Sequence, residues 1–227
     1  MSATRTLRRA VDDFELLLEG KLAIFLIGDF LAIVWGVFAA LSSGGRMEQI
    51  YVPGVVLPLL LVLAASLSSL VALERRAGSL DLALAAPSPA LFFLRRLWPP
   101  VVLAVLQGWL VLLLSYFEGG SEHWEMLLRA AFQAVLVACL AAAIGLFWAT
   151  RLRTGGAVFI AVLATLLPLF PFVVNSPKLP PQQFATSFWT ANQHLFYWLW
   201  PVVVLAAATL LFFLAGLDRL RRPESLT

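Results

Sequence analysis

Cysteine and histidine are nearly missing from this 227-residue chain. The one cysteine, Cys139, excludes an intrachain disulfide, and the two histidines, His123 and His194, fall in expected connections. Cysteine–histidine metal spacing, H-E-x-x-H and G-x-S-x-G are all absent. So is the phosphate loop G-x-x-x-x-G-K-[ST]: the only Gly-Lys pair, Gly20-Lys21, is followed by Leu22. Charged residues make up only 13% of the chain, against 61% hydrophobic and a mean hydropathy of +0.91, which excludes an ordinary soluble domain. Catalytic chemistry, a resident metal and a cofactor are therefore not expected on this chain.

Long apolar runs fill the space. A bilayer core of about 30 Å needs roughly 20 apolar residues per helix, and six runs meet that need: Leu22–Leu41, Pro53–Leu73, Trp98–Phe117, Met126–Ala149, Ala157–Val174 and Tyr197–Leu217. The expected fold is an all-α integral membrane protein forming a single transmembrane domain over residues 1–227. The first run is long enough to span and lacks a small-residue cleavage pattern, so a cleavable signal is not expected.

Lys and Arg set the orientation, because cytoplasmic ends of spans collect them. With the N-terminus inside, thirteen basic residues are cytoplasmic, among them Arg5, Arg75, Arg95, Arg151, Arg219 and Arg222; Arg46, Lys178 and Arg129 fall outside or just within a span. Both termini are thus expected in the cytoplasm of a multi-pass plasma membrane protein, a bacterial inner membrane being the natural host. A pI near 9.5 follows from this topology. The basic residues are spread over separate membrane-proximal segments, so nucleic acid is not an expected partner.

Residues 4–20 are amphipathic: Leu7, Val11, Phe14, Leu17 and Leu18 share a face opposite Arg5, Arg8, Arg9, Asp12, Asp13, Glu15 and Glu19. Such a helix lies in the headgroup plane. Asp29 sits about a third of the way into the first span, where a carboxylate costs roughly 2.5–3.5 kcal/mol unless it faces the bundle interior or water. It is either a packed, hydrogen-bonded residue or an intramembrane polar site. Gln107 and Gly108 lie in the middle of the third span, whose Trp98-Pro99-Pro100 opening reads as an interfacial anchor followed by helix-start prolines. The short link 118–124 makes the third and fourth spans antiparallel neighbours. Ala141–Ala143 and Gly145 give the fourth a small-residue face for close packing. Arg151-Leu152-Arg153-Thr154-Gly155-Gly156 reads as a tight turn, and Pro168 and Pro171 kink the fifth span.

The stretch from Leu73 to Trp98 is charged at both ends and apolar between. Ser79 caps a short helix with Asp81 in its first turn, Pro87 stops it, and Ser88 caps a second helix with Pro89 at its first position. This is a helix–Pro–helix knuckle against the membrane between spans two and three. The run Glu74-Arg75-Arg76-Ala77-Gly78-Ser79-Leu80-Asp81-Leu82-Ala83-Leu84-Ala85-Ala86-Pro87 resembles the signature of export-type (type 2) permeases of ATP-binding-cassette transporters. Gly78 through Leu82 and Pro87 fall in register, whereas Ala83 stands where a second leucine is usual. The basic residues and glycine pair at 151–156 resemble the haem-exporter-like branch of that family.

That resemblance implies a permease subunit that moves a hydrophobic or amphipathic substrate and is coupled to a separate ATPase. Coupling falls to Glu74, Arg75, Arg76, Gly78, Asp81 and Pro87, with the helix at 4–20 also contacting the ATPase. ATP and Mg²⁺ are bound by that partner, and a second permease copy or a paralogue completes the path. Phe184, Phe188 and Trp189 form an outer gate. Two other classes fit the spans: a non-transporting membrane scaffold, and an ion-coupled secondary carrier centred on Asp29. Neither explains the register of the knuckle.

Overall fold

In a computed structural model, described residues are 30, 34, 38, 55–56, 58–60, 63–64, 88–119, 124–152, 154–169, 195–220 and 222. The described residues contain helix and no strand. Four helices are complete enough to name: α1 Pro89–Gly119, α2 Trp124–Ala149, α3 Gly155–Leu166 and α4 Leu195–Leu220, with a 3₁₀ turn at Leu167–Leu169. The windows Leu97–Leu114, Leu127–Ala149 and Val202–Leu220 make α1, α2 and α4 long and apolar enough to cross a membrane. Helix is the form such sequences must take in lipid, because every backbone donor and acceptor then finds its partner within the segment.

The helix at residues 4–20, most of the first two spans and the outer part of the fifth lie outside the described residues.

α2 is the centre. Two-thirds of its apolar window, 67%, is buried, against 11% for α4. It packs against α1, α3 and α4, with the α4 seam the most extensive. Ala130, Ala134, Ala138 and Ala141 recur along α2 at helical spacing and are at most 1% exposed. Small side chains let the helix backbones approach closely, which is how helices associate in lipid, where no hydrophobic force separates them from solvent. α1 covers one side through Ala104, Val105, Val111 and Leu112, all buried, as the short 118–124 link requires of antiparallel neighbours.

Two glycines mark the closest approaches. A Cβ placed on Gly108 of α1 would lie 3.1 Å from Val55 Cγ1, so the segment at 55–64 runs against the middle of α1. Val55, Val56, Leu59, Leu63 and Ala64 there are at most 2% exposed, and Leu60 is 5% exposed. On Gly216 of α4 a Cβ would meet Leu146 Cγ at 3.1 Å and the Phe147 backbone nitrogen at 3.4 Å. The Phe147 and Phe212 rings meet edge to face at 5.2 Å beside it.

Two sequence expectations are corrected. Pro99 and Pro100 do not start the third span: α1 runs unbroken through both, from Pro89 to Gly119. Leu91 to Trp98 contain no residue that halts a helix, so the second helix of the knuckle is the first part of α1. The prolines cost the Arg95 and Arg96 carbonyls their helical donors, and both rings are buried, which offsets that loss. Nor are Gly155 and Gly156 part of the turn. They open α3, because Thr154 sits in extended conformation at φ −113° and its hydroxyl accepts the Ala157 N–H at 3.4 Å, an N-cap.

Candidate functional site

All ten residues singled out above lie outside the described residues: Asp29, Glu74, Arg75, Arg76, Gly78, Asp81, Pro87, Phe184, Phe188 and Trp189. What the structure does give is the helix that follows the Glu74–Pro87 run in sequence. α1 starts at Pro89, immediately after Ser88, where the second of the two expected helices begins; the first lies outside the described residues. It is 31 residues long, about 46 Å at 1.5 Å per residue. The stretch from Pro89 to Arg96 precedes the apolar window at Leu97, so roughly 12 Å of α1 extends beyond its membrane-crossing part. Arg95 on this extension is exposed, and Leu97, two residues on and so on the opposite side of the helix, is 6% exposed. The extension at Pro89–Arg96 and Gly108, which docks against Val55 and Leu59, thus belong to one continuous helix.

A second junction lies where α2 and α4 end together. Arg151, just past α2, lays its guanidinium over the Phe147 ring, Cζ 3.6 Å from the centroid. Its Nη1 donates to the Phe147 carbonyl at 2.9 Å, satisfying an acceptor that a helix end leaves open. Nη2 reaches across to the Ala215 carbonyl of α4 at 3.5 Å. One turn along α4 come Asp218 and Arg219, then Arg222, which donates to Asp218 Oδ1 at 3.3 Å. Partial burial first, and Arg219 second, pull the Arg151 pKa below its ordinary value, while Asp218 pulls the other way. Basic segments far apart in sequence thus meet at one place. The sequence pattern missed this, since nothing in it pairs the fourth span with the sixth.

α3 leaves this junction at an angle. Trp148 in the last turn of α2 donates through Nε1 to Thr165 Oγ1 at 2.8 Å, in the last turn of α3. A parallel-sided hairpin would instead bring the last turn of one helix to the first turn of the next. The buried residues of α3, Val158, Val162 and Leu166, form a single i, i+4, i+8 ridge, the ridge whose interdigitation tilts helices by about 50°. With its 3₁₀ turn this apolar segment covers Gly155–Leu169, about 22 Å at helical rise against a bilayer core of about 30 Å.

Toward the other end of α1 and α2 an apolar cavity of about 520 Å³ opens between them, lined by residues that include Trp109, Leu113, Leu128 and Phe132. Trp109 Nε1 closes its own donor on the Ala131 carbonyl at 3.0 Å, so the lining offers van der Waals contact and little else. Among the described residues no group of three or more His, Cys, Asp or Glu is placed to hold a metal. Among the described residues Gln133 and Thr150 are the buried polar side chains, and Thr150 donates to the Phe147 carbonyl at 2.9 Å. Comparison with protein-family models, curated proteins and solved structures returns no match, so the reading of function rests on this chain's own residues.

Proposed function

We propose that this chain is the membrane-spanning permease subunit of an ATP-driven exporter of the ATP-binding-cassette type, working with a separate ATPase. The observation that supports it most is the continuity of α1 from Pro89 to Gly119. In a coupled transporter a force delivered at the membrane surface must move a span. Here the segment Glu74–Pro87 abuts a helix that enters the bilayer without a hinge residue other than Pro99 and Pro100. The paired prolines lack two intrahelical hydrogen bonds, which makes that point the compliant joint of the rod. Two such subunits, served by two ATPase chains, enclose the path, and the apolar lining of the α1–α2 cavity supports an apolar wall for it. A hydrophobic or amphipathic substrate suits such walls.

The contact itself is testable by disulfide-independent crosslinking in native membranes. Asp81→Cys introduces a thiol into a chain whose only other cysteine, Cys139, lies within α2. A maleimide-based crosslinker is expected to join position 81 to a chain carrying a phosphate-loop motif. Failure to capture any such chain from position 81, with label still reaching the thiol, refutes the proposal.

A further inference from the structure

The middle of α1 holds a polar side chain at a depth where lipid has none to offer. In the membrane-crossing window Leu97–Leu114, Gln107 is the one residue besides Trp98 and Trp109 whose side chain can hydrogen-bond. It lies about 15 Å past Leu97 at 1.5 Å per residue, half the depth of a bilayer core of about 30 Å. The side chain is half-buried, and among the described residues its amide has no hydrogen-bond partner. Hydrocarbon cannot supply one, so an amide left in this state is costly.

Gln107 also belongs to a pattern. Leu103, Gln107, Leu110, Leu114 and Phe117 follow one another at alternating steps of four and three, the spacing of a helix-pairing seam with Gln107 at an a position. Leu110, Leu114 and Phe117 are exposed, and Leu103, like Gln107, is half-buried. Ala104, Gly108 and Val111, on another face of α1, are buried in the chain's own core. The leucines of the seam suit acyl chains as well as they suit a helix, because lipid tails are equally apolar. The amide does not.

We propose that α1 pairs with α1 of a second copy of this chain along the Leu103–Phe117 seam, in parallel about a two-fold axis, with the two Gln107 amides bonded to each other. A carboxamide is self-complementary, since Nε2 donates and Oε1 accepts. Two copies inserted the same way bring Gln107 to the same depth, where a two-fold axis sets one residue against its own counterpart. An unlike helix would have to carry a polar group at that depth independently; a second copy brings one by symmetry. Glutamine bonds across membrane helices in this way, and one polar a position fixes register and oligomer state. The proposal rests on the second copy that the permease reading also calls for, but needs no ATPase, so it is tested apart from that reading.

The test is oxidative crosslinking of the full chain in native membranes. Leu110→Cys puts a thiol at the d position after Gln107, and the parent chain, whose only cysteine is Cys139, gives the background. A disulfide-linked homodimer is expected from Leu110→Cys and not from Val102→Cys, which is exposed but off the seam. Misfolding cannot produce that selectivity. In mixed micelles Gln107→Leu, similar in size and outside the core, should raise the monomer–dimer dissociation constant about 10-fold. Gln107→Asn keeps a carboxamide and should stay closer to the parent. Equal crosslinking from positions 102 and 110, no dimer from position 110, an unchanged dissociation constant in Gln107→Leu, or Gln107→Asn no better than Gln107→Leu would each overturn the seam. A Leu110→Cys crosslink to a chain of different mass would overturn the second copy in favour of an unlike helix.

Discussion

Among the described glycines Gly216 has the most close neighbours, and Gly216→Val is the sharpest probe of that contact. A Cβ alone would sit 3.1 Å from Leu146 Cγ, 3.3 Å from Leu146 Cδ2 and 3.4 Å from the Phe147 backbone nitrogen. Leu146 is 2% exposed and has no room to swing, and the Phe147 backbone belongs to the central helix. Valine adds two methyl groups to that contact, so α4 must lift from α2, carrying Phe212 from Phe147 and the Ala215 carbonyl from Arg151. Overpacking of this kind costs typically about 1–3 kcal/mol. Helix propensity works the other way by up to about 1 kcal/mol when glycine is replaced, so Gly216→Ala should fall near neutral and Gly216→Val clearly below. Gly156→Ala supplies the contrast: a Cβ there meets nothing within 4 Å, and α3 should gain about 0.4–1 kcal/mol. The assay is reversible unfolding of the purified chain in mixed micelles followed by tryptophan fluorescence. A Gly216→Val midpoint equal to that of the parent, or a Gly156→Ala midpoint below it, refutes the packing described.

Three further outcomes are expected. A double-mutant cycle with Trp148→Phe and Thr165→Val should give a coupling energy of about 0.6 kcal/mol and no more than about 1.7, typical of hydrogen bonds between membrane helices; zero coupling means α3 does not lie across α2. Arg151→Gln loses the ring stack and the reach to Ala215, and should lower stability by about 1 kcal/mol, with Arg151→Lys recovering only part because ammonium lacks the planar fork; a full lysine rescue contradicts this. Glu74→Arg reverses one charge beside Arg75 and Arg76 and is expected to abolish ATPase binding or coupling. Unchanged ATP-driven transport in that variant removes Glu74 from the coupling set.

How far the sequence told this in advance depends on which force set each feature. The ends of α2 were legible to within two residues, Met126–Ala149 expected against Trp124–Ala149 found, because lipid allows no alternative to a continuous helix there. α4 runs to Leu220, three residues past the expected end at Leu217. A charged last turn continues a helix readily when it emerges from the bilayer, and Arg219 there compensates the helix dipole. The prolines of α1 misled for a different reason. Proline is at home in a first turn, so Trp98-Pro99-Pro100 reads naturally as a start; only the absence of any breaker between Pro89 and Trp98 argues for one rod. Beyond neighbours joined by a short link, which spans pair was not legible. Loop length fixes α1 beside α2, but the α2–α4 seam is chosen by Gly216 against Leu146, a fit of shapes that no periodicity announces.

The central claim, that this chain serves an ATPase through the segment before α1, is tested most directly by purifying it from its native membrane in mild detergent, with residues 78–87 either intact or replaced by a flexible glycine–serine linker. Mass spectrometry and an ATP hydrolysis assay are then run on whatever accompanies it. The account predicts a stoichiometric ATP-binding-cassette ATPase with the intact chain and its loss with the linker. Recovery of the chain without any ATPase, or of the same ATPase in equal amount with the linker, would contradict it.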